Sequence, residues 1–263
     1  MVWDPEINDP TRRPQPSDEP AEGEGTVEQF APIDPFAPID PNAPVSGHRP
    51  APSGPPVSEA PEHDWSVART NVFPLIRPIG TGGLPVTEFD PATAADMGAR
   101  AHTQPLLDEG PAGLPVVYAL RSGSFDVIVN ADHVLTWGIR TAELQDAALA
   151  NLGAWSAGAP WTDEVSGERR LLSSSTGEGW DASRILLREV ADYLAAELGG
   201  GGGRIVVGLP DRHTLAATSL GPADTDFAAM FAEFVVETAG AADEPIERRV
   251  FELVGGQLIP YVA

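Results

Sequence analysis

Two short segments of the chain carry side chains that could do chemistry together. The candidate residues are Trp180, Asp181, Arg184, Asp211, Arg212 and His213. A carboxylate, a guanidinium and an imidazole within hydrogen-bond reach can transfer protons and stabilise developing negative charge. If the two loops converge, they predict the centre of a hydrolase or of a small-molecule-binding enzyme. If His213 lies more than about 10 Å from Asp181 and Arg184, these residues cannot form a hydrogen-bonded catalytic set.

The first of these segments also has a structural interpretation. Asp181 stands at the start of an apolar periodic stretch, where a carboxylate typically caps the first turn of a helix. Glu178 would then complement the helix dipole, and Arg184 would pair locally with Asp181 one turn away. This interpretation explains all three charges without a ligand, and the sequence favours it over catalysis.

Several kinds of active site are excluded or disfavoured by what the sequence lacks. The chain has no Cys, and its 16 basic residues are all Arg, so thiolate, Schiff-base and Walker-lysine chemistry are excluded. No HExxH or GxSxG motif occurs, and the histidines have no metal-site spacing. The glycine run at 199–203 follows a helix and precedes a strand, the reverse of a phosphate loop. We therefore expect no metal, no cofactor and no assembled catalytic motif.

Charge and hydropathy restrict the kinds of partner. The formal net charge is −23, with about ten negative charges in residues 1–65 and about thirteen in the rest. Such a field repels phosphate backbones and anionic headgroups, so we expect neither nucleic-acid nor membrane binding. The start, MVWDPEINDP, is acidic and broken by proline, which is unlike a secretory signal, and no stretch is apolar enough to span a membrane. The sequence thus indicates a cytoplasmic protein.

Residues 1–65 have the composition of a disordered arm. They contain 15 of the 27 prolines and few large apolar residues. Within them lies a tandem repeat, FAPIDPFAPIDP, whose prolines favour polyproline II. The period of three places four apolar side chains on one ridge, which predicts a docking motif for a protein partner. These residues are Phe30, Ile33, Phe36 and Ile39. The alternative is a low-complexity duplication in a linker.

Residues 66–263 are predicted to form a single α+β domain. Strands alternate with helices, and the strands come in hairpin pairs, which favours a mainly antiparallel sheet with about three packed helices. The clearest helix is predicted from Asp181 to Leu198, with Gly199 as a left-handed stop. Two further helices are predicted after Thr141 and after Asp224, and one or two helical turns are predicted over 131–138. The helix after Asp224 would carry six residues on one face: Phe227, Met230, Phe231, Phe234, Val235 and Thr238. Hairpins are predicted over 114–130 and 250–262, and strands over 71–79, 169–173, 204–210 and 213–220.

The order of motifs resembles a bacterial family of unknown function, the YtpQ-like family. The segments that carry the resemblance are FPLIR at 73–77, VVYAL at 116–120, the helix that ends in Asn151-Leu152, GWDASRIL at 179–186, VGLPDRHTLAAT at 207–218 and the closing VFELVGGQLIPYV. The resemblance covers about residues 71–262 and none of the arm. It implies a cytoplasmic α+β protein and brings no reaction, cofactor or catalytic residue.

Taken together, these features predict a non-enzymatic binding or adaptor protein. The folded domain would present a pocket or groove, and the arm would recruit a protein partner through its repeat. The competing hypothesis is a hydrolase or small-molecule-binding enzyme that uses the two candidate loops. An adaptor predicts an exposed apolar groove, whereas an enzyme predicts that the charged side chains of the two loops meet.

Overall fold

The computed structural model describes residues 61–90, 92, 102–122 and 125–262 of the chain. These residues belong to one compact unit that spans Pro52–Ala263. Residues 1–60 of the predicted arm, including the FAPIDP repeat, lie outside the described residues. The predicted boundary at residue 65 is wrong, because Asp64 caps the first helix and Pro61 O accepts from Trp137 Nε1 (3.0 Å). The predicted α+β class is confirmed, with two sheets in place of the one that was expected.

The first sheet has five strands in the order β1-β4-β3-β2, with β5 also paired to β4. Its strands are β1 Val72–Ile76, β2 Leu84–Pro85, β3 Leu106–Glu109, β4 Pro115–Ser122 and β5 Phe125–Ile128. All pairs are antiparallel except β2 with β3. The hairpin predicted over 114–130 is confirmed as β4 and β5. Strand β1 is an edge strand, as Pro74 predicts, since proline has no backbone N–H to donate to a second neighbouring strand.

The second sheet has six strands, all antiparallel, in the order β11-β10-β8-β9-β7-β6. Its strands are β6 Thr162–Ser166, β7 Arg169–Ser174, β8 Arg204–Gly208, β9 Leu215–Leu220, β10 Val250–Val254 and β11 Gln257–Pro260. Gly255 and Gly256 form the β10–β11 turn at φ of 58° and 82°, a conformation that glycine adopts without strain. The predicted closing hairpin is confirmed.

The described part of the chain contains five α-helices in place of the predicted three. They are α1 Trp65–Ala68, α2 Ala131–Trp137, α3 Thr141–Gly158, α4 Arg188–Leu198 and α5 Thr225–Ala241. The three long helices are those that hydrophobic periodicity predicted. Of the other two, α2 confirms the helical turns predicted over 131–138, and α1 has only four residues, too short for a periodic signal.

The helix predicted from Asp181 to Leu198 is wrong in its first half. Residues Ala182–Leu186 form a 3-10 helix, Leu187 is extended at φ −86° and ψ 125°, and only Arg188–Leu198 is α-helical. The predicted stop is also wrong, because Gly199 has φ −81° and Gly202 takes the left-handed conformation at φ 69°. Burial of the 3-10 segment among neighbouring elements overrides the helical pattern of its sequence.

Apolar side chains cover both faces of the second sheet. Alternate residues of its strands point to opposite sides, so Val207 joins the main core while Val206 faces α5. The main core also takes in residues of β1, β4, α3 and α4, and therefore joins the two sheets. Helix α5 packs alone on the outer face through Phe231 and Val235. Gly208 allows this close packing, since a Cβ there would lie 2.4 Å from Val235 Cγ2.

Helix α2 begins with a reciprocal cap that includes a histidine. The Asn130 side chain accepts from the His133 backbone N–H (3.2 Å), and His133 Nδ1 accepts from the Asn130 N–H (3.1 Å). The imidazole also packs against Trp137, with ring centroids 5.5 Å apart. Burial lowers the pKa of His133, although the Glu62 and Asp132 charges oppose this effect. A neutral imidazole is required, because protonated Nδ1 cannot accept.

We expect this cap to make stability depend on pH. A lowered pKa in the folded state means that the stabilisation is complete above the ordinary histidine pKa of about 6.5 and is lost as pH falls through the folded value. His133→Gln keeps a capping-box acceptor that does not titrate. Between about pH 7.5 and pH 5, the variant should lose less unfolding free energy than the native chain, by about 1 kcal/mol, the order of one helix cap. Urea titrations at both pH values measure this difference, and equal losses would contradict the prediction.

Candidate functional site

The two candidate loops do converge, and each of the two hydrogen bonds between them involves backbone atoms. The Ala182 N–H donates to Arg212 O (3.3 Å), and Arg212 Nε donates to Gly179 O (3.3 Å). Segment 179–182 thus lies directly against the loop between β8 and β9. The side chains that were predicted to work together point in different directions, as the following contacts show.

Arg184 is a buried structural residue, with 2% of its surface exposed. Its Nε donates to Ser156 Oγ (3.0 Å), Nη1 to Ser174 Oγ (2.7 Å) and Pro160 O (3.4 Å), and Nη2 to Ser156 O (3.2 Å) and Ala159 O (3.4 Å). All five guanidinium N–H groups therefore have partners. Three of the acceptors are carbonyls at the end of α3, where a cation also complements the helix dipole. No donor is left for a ligand.

Asp181 is also enclosed, and its predicted role as an N-cap is wrong. The carboxylate is fully buried and turns back toward β7. Its Oδ1 accepts from the Ser174 hydroxyl (2.6 Å) and the Thr176 N–H (3.0 Å), and Oδ2 accepts from the Thr176 hydroxyl (2.8 Å). Because Ser174 accepts from Arg184 and donates to Asp181, its hydroxyl connects the two charges. Asp181 and Arg184 are therefore bridged by Ser174, and the direct ion pair that was predicted between them does not form.

Arg212 faces away from Asp181 and joins the two sheets. Its Nη2 pairs with Asp126 of β5 (2.5 Å), its Nη1 pairs with Glu244 (3.3 Å), and its guanidinium lies 5.5 Å from the centre of the Trp180 ring. Gly179 makes this packing possible. It has φ 86°, and a Cβ there would lie 2.6 Å from Arg212 Nε.

The remaining three candidates serve the local fold or lie in solvent. Asp211 accepts from the His213 backbone N–H (2.7 Å), a turn that fixes the loop, while the His213 side chain is exposed. Trp180 is 1% exposed and stacks on Phe73, with ring centroids 4.5 Å apart. Its Nε1 is buried and has no hydrogen-bond partner among the described residues.

The six candidates therefore do not form an accessible site in the described part of the chain. A cavity of about 600 Å³ opens nearby, between the end of α3 and the loop after β7. Trp155, Pro160, Thr176 and Glu178 are among its lining residues, and none of the six candidates lines it. The same described segments contain no group of three His, Asp or Glu side chains placed to hold a metal ion.

A different surface offers an open apolar groove, which we call the α5 groove. It consists of two adjoining cavities of about 430 and 270 Å³ that share Thr225, Ala228 and Tyr261. Its helix side is formed by Thr225, Ala228, Ala229 and Ala232, and its strand side by Arg248, Arg249, Val250, Pro260 and Tyr261. The smaller cavity extends past Tyr261 to Arg204 and Asp224.

The groove exists because α5 lies over the middle of the sheet and presents small side chains to its edge. Phe231, Val235 and Ala239 are the buried residues of α5, which places the helix against β8, β9 and β10. Toward β11 the helix carries Thr225 and three alanines, and these small side chains do not fill the space. Of the six residues predicted to share one face, Met230 and Phe234 are instead exposed, by 57% and 40%.

The arginines of this groove were not among the sequence candidates. Arg204 lies 4.4 Å from the centre of the Tyr261 ring and pairs with Glu252 (2.7 Å). Arg249 pairs with Glu247 (2.5 Å), and Arg248 is exposed. The one signal for them in the sequence is the adjacent pair Arg248-Arg249 in a strongly acidic chain. Their position beside a row of alanines depends on tertiary packing.

Within the described ranges, no helix is both long and apolar enough to cross a membrane. Comparison of the chain with protein-family models, curated proteins and solved structures found no match. The resemblance to the YtpQ-like family therefore stays a prediction, and function has to be inferred from the geometry of this chain.

Proposed function

We propose that this chain is a non-enzymatic binding or adaptor protein that holds an extended segment of a partner protein in the α5 groove. The observation that supports this proposal is the groove itself, an open apolar channel between a helix and the edge of a sheet. Protein-bound peptides commonly occupy such channels, with alternate side chains in the floor. The FAPIDP repeat at 30–41 would provide a second, independent docking element.

The burial of Asp181 and Arg184 supports binding over hydrolysis. Their polar atoms are directed to Ser156, Ser174 and Thr176, and a general base has to reach a substrate proton directly or through one water. The α5 groove, in contrast, is accessible. Its floor combines Val250, Pro260 and the ring of Tyr261, the types of residue that form the apolar centre of protein interfaces.

Filling the groove should abolish this binding. Ala229 lies on the exposed side of α5 and lines the groove, so Ala229→Trp places a large ring in the channel without entering the core. Peptides selected from a random display library on the native full-length chain should bind the variant at least about tenfold more weakly, since the apolar contacts are lost. Fluorescence anisotropy with the selected peptides measures this effect.

The matched control is Ala196→Trp. Ala196 is an exposed residue of α4, on the opposite face of the sheet, and its replacement should leave the affinity unchanged. Thermal melts followed by circular dichroism verify that both variants fold. The proposal fails if no peptide is enriched, or if Ala229→Trp binds the selected peptides as tightly as the native chain does.

A further inference from the structure

The residues that line the α5 groove include more arginines than acids, whereas the chain as a whole is strongly acidic. The chain contains 39 acidic residues and 16 arginines. The residues that line the two adjoining cavities include three arginines, Arg204, Arg248 and Arg249, and one acid, Asp224. A cleft with an excess of one charge concentrates ligands of the other charge, because the apolar walls focus the field.

The three arginines differ in how much of their charge is available. Arg204 and Arg249 are neutralised in part by Glu252 and Glu247. Arg248 is exposed, and no carboxylate of the described residues lies within 4.0 Å of its guanidinium. Its guanidinium is therefore available at the rim of the groove, and the planar fork of an arginine can bind a carboxylate through two hydrogen bonds.

We infer that the α5 groove selects peptide segments in which apolar residues alternate with aspartate or glutamate. This inference rests on the proposed function and adds the chemical class of the ligand. In an extended peptide, alternate side chains point to opposite sides, so apolar groups can enter the floor while carboxylates reach the arginines at the rim.

Nucleic acid fits the same surface less well. Binding to a phosphate backbone depends on many cationic contacts, whereas this rim offers three arginines, two of them already paired, on a chain of net charge −23. The floor of alanines, Val250 and Pro260 also offers no row of stacking rings for bases. An apolar peptide with carboxylates satisfies both the floor and the rim.

The test uses three fluorescein-labelled peptides and the full chain. The first peptide alternates Phe and Ile with Asp, the second replaces every Asp by Asn, and the third keeps Asp and replaces Phe and Ile by Ala. We expect the first to bind best and the second to bind about three- to fivefold more weakly, the size of a solvent-exposed ion pair. The third should not bind. Added salt should lower the affinity of the chain for the first peptide and leave its affinity for the second peptide unchanged.

Arg248→Gln should reduce the affinity for the Asp peptide to that for the Asn peptide. Arg188→Gln is the matched control, because this arginine lies on α4, on the other face of the sheet, with its side chain 91% exposed. Equal binding of the Asp and Asn peptides, or an unchanged Asp-peptide affinity in Arg248→Gln, would overturn the inference and leave the proposed function intact. Equal binding of the Ala peptide, or no binding of any peptide, would instead overturn the proposed function.

Discussion

Replacement of Arg184 by methionine should lower the free energy of unfolding by about 3–5 kcal/mol, as expected when one partner of a buried charged network is removed. The guanidinium of Arg184 is the common partner of the Ser156 and Ser174 hydroxyls and of three carbonyls at the end of α3. Methionine fills part of the volume but leaves these acceptors unsatisfied, and it leaves the buried Asp181 carboxylate without a nearby cation. Urea denaturation at neutral pH measures the loss.

Arg188→Met provides the control, since this exposed arginine is four residues away and should change stability by less than about 0.5 kcal/mol. A double variant with Asp181→Asn tests whether Ser174 couples the two charges. If it does, the double variant should be destabilised by less than the sum of the single variants. An Arg184→Met chain as stable as the native one would show that the buried hydrogen bonds do not stabilise the fold.

Replacement of Trp180 by alanine should cost about 3–5 kcal/mol, because a fully buried ring leaves a large cavity. The lost contacts include the stacked ring of Phe73 and the guanidinium of Arg212. Trp180→Phe should recover most of this loss. It retains an aromatic ring on Phe73 and removes the buried indole N–H. Because this N–H has no hydrogen-bond partner among the residues that the structure describes, its removal costs no hydrogen bond there.

The same variants separate a structural role of Trp180 from a ligand-binding role. If Trp180 is a core residue, stability should decrease in the order native, Trp180→Phe, Trp180→Ala. Every variant that folds should still bind peptide in the α5 groove. Met230→Ala is the surface control, since Met230 is 57% exposed, and it should be within about 0.5 kcal/mol of the native chain. Equal stability of Trp180→Ala and the native chain would contradict the core assignment.

The candidate loops show what the sequence can predict about a site. The position of Arg212 after a strand and of Asp181 after a glycine-rich segment made both loops candidates but left open whether they converge, and the structure shows that their backbones hydrogen bond. The directions of the side chains were not predictable. They depend on Ser156 and Ser174, which lie 28 and 10 residues from Arg184 and carry no signal of this role in the sequence.

Helices and strands were predicted best where a local backbone constraint marks them in the sequence. Gly255-Gly256 and the proline at position 74 correctly indicated a hairpin and an edge strand, because each is a local backbone constraint. Periodicity located α5 but misjudged its buried face. The sequence predicts one apolar face that includes Met230 and Phe234, whereas the helix packs through Phe231, Val235 and Ala239 and leaves those two side chains exposed. That choice depends on the close approach at Gly208, which no local pattern reveals.

The short segment from Ser174 to Arg184 has a consequence for how the domain can be divided. Its Ser183 hydroxyl accepts from the Ile76 N–H of the first sheet (3.2 Å), and its Ser174 belongs to β7 of the second. The main core likewise draws on both sheets. A fragment that ended after α3 would therefore expose the apolar side chains of β1 and β4 that pack in the main core. The remaining fragment would expose the apolar side chains of the second sheet and α4 that pack against them. The two sheets are not transferable modules, and fusion partners or split sites belong outside them.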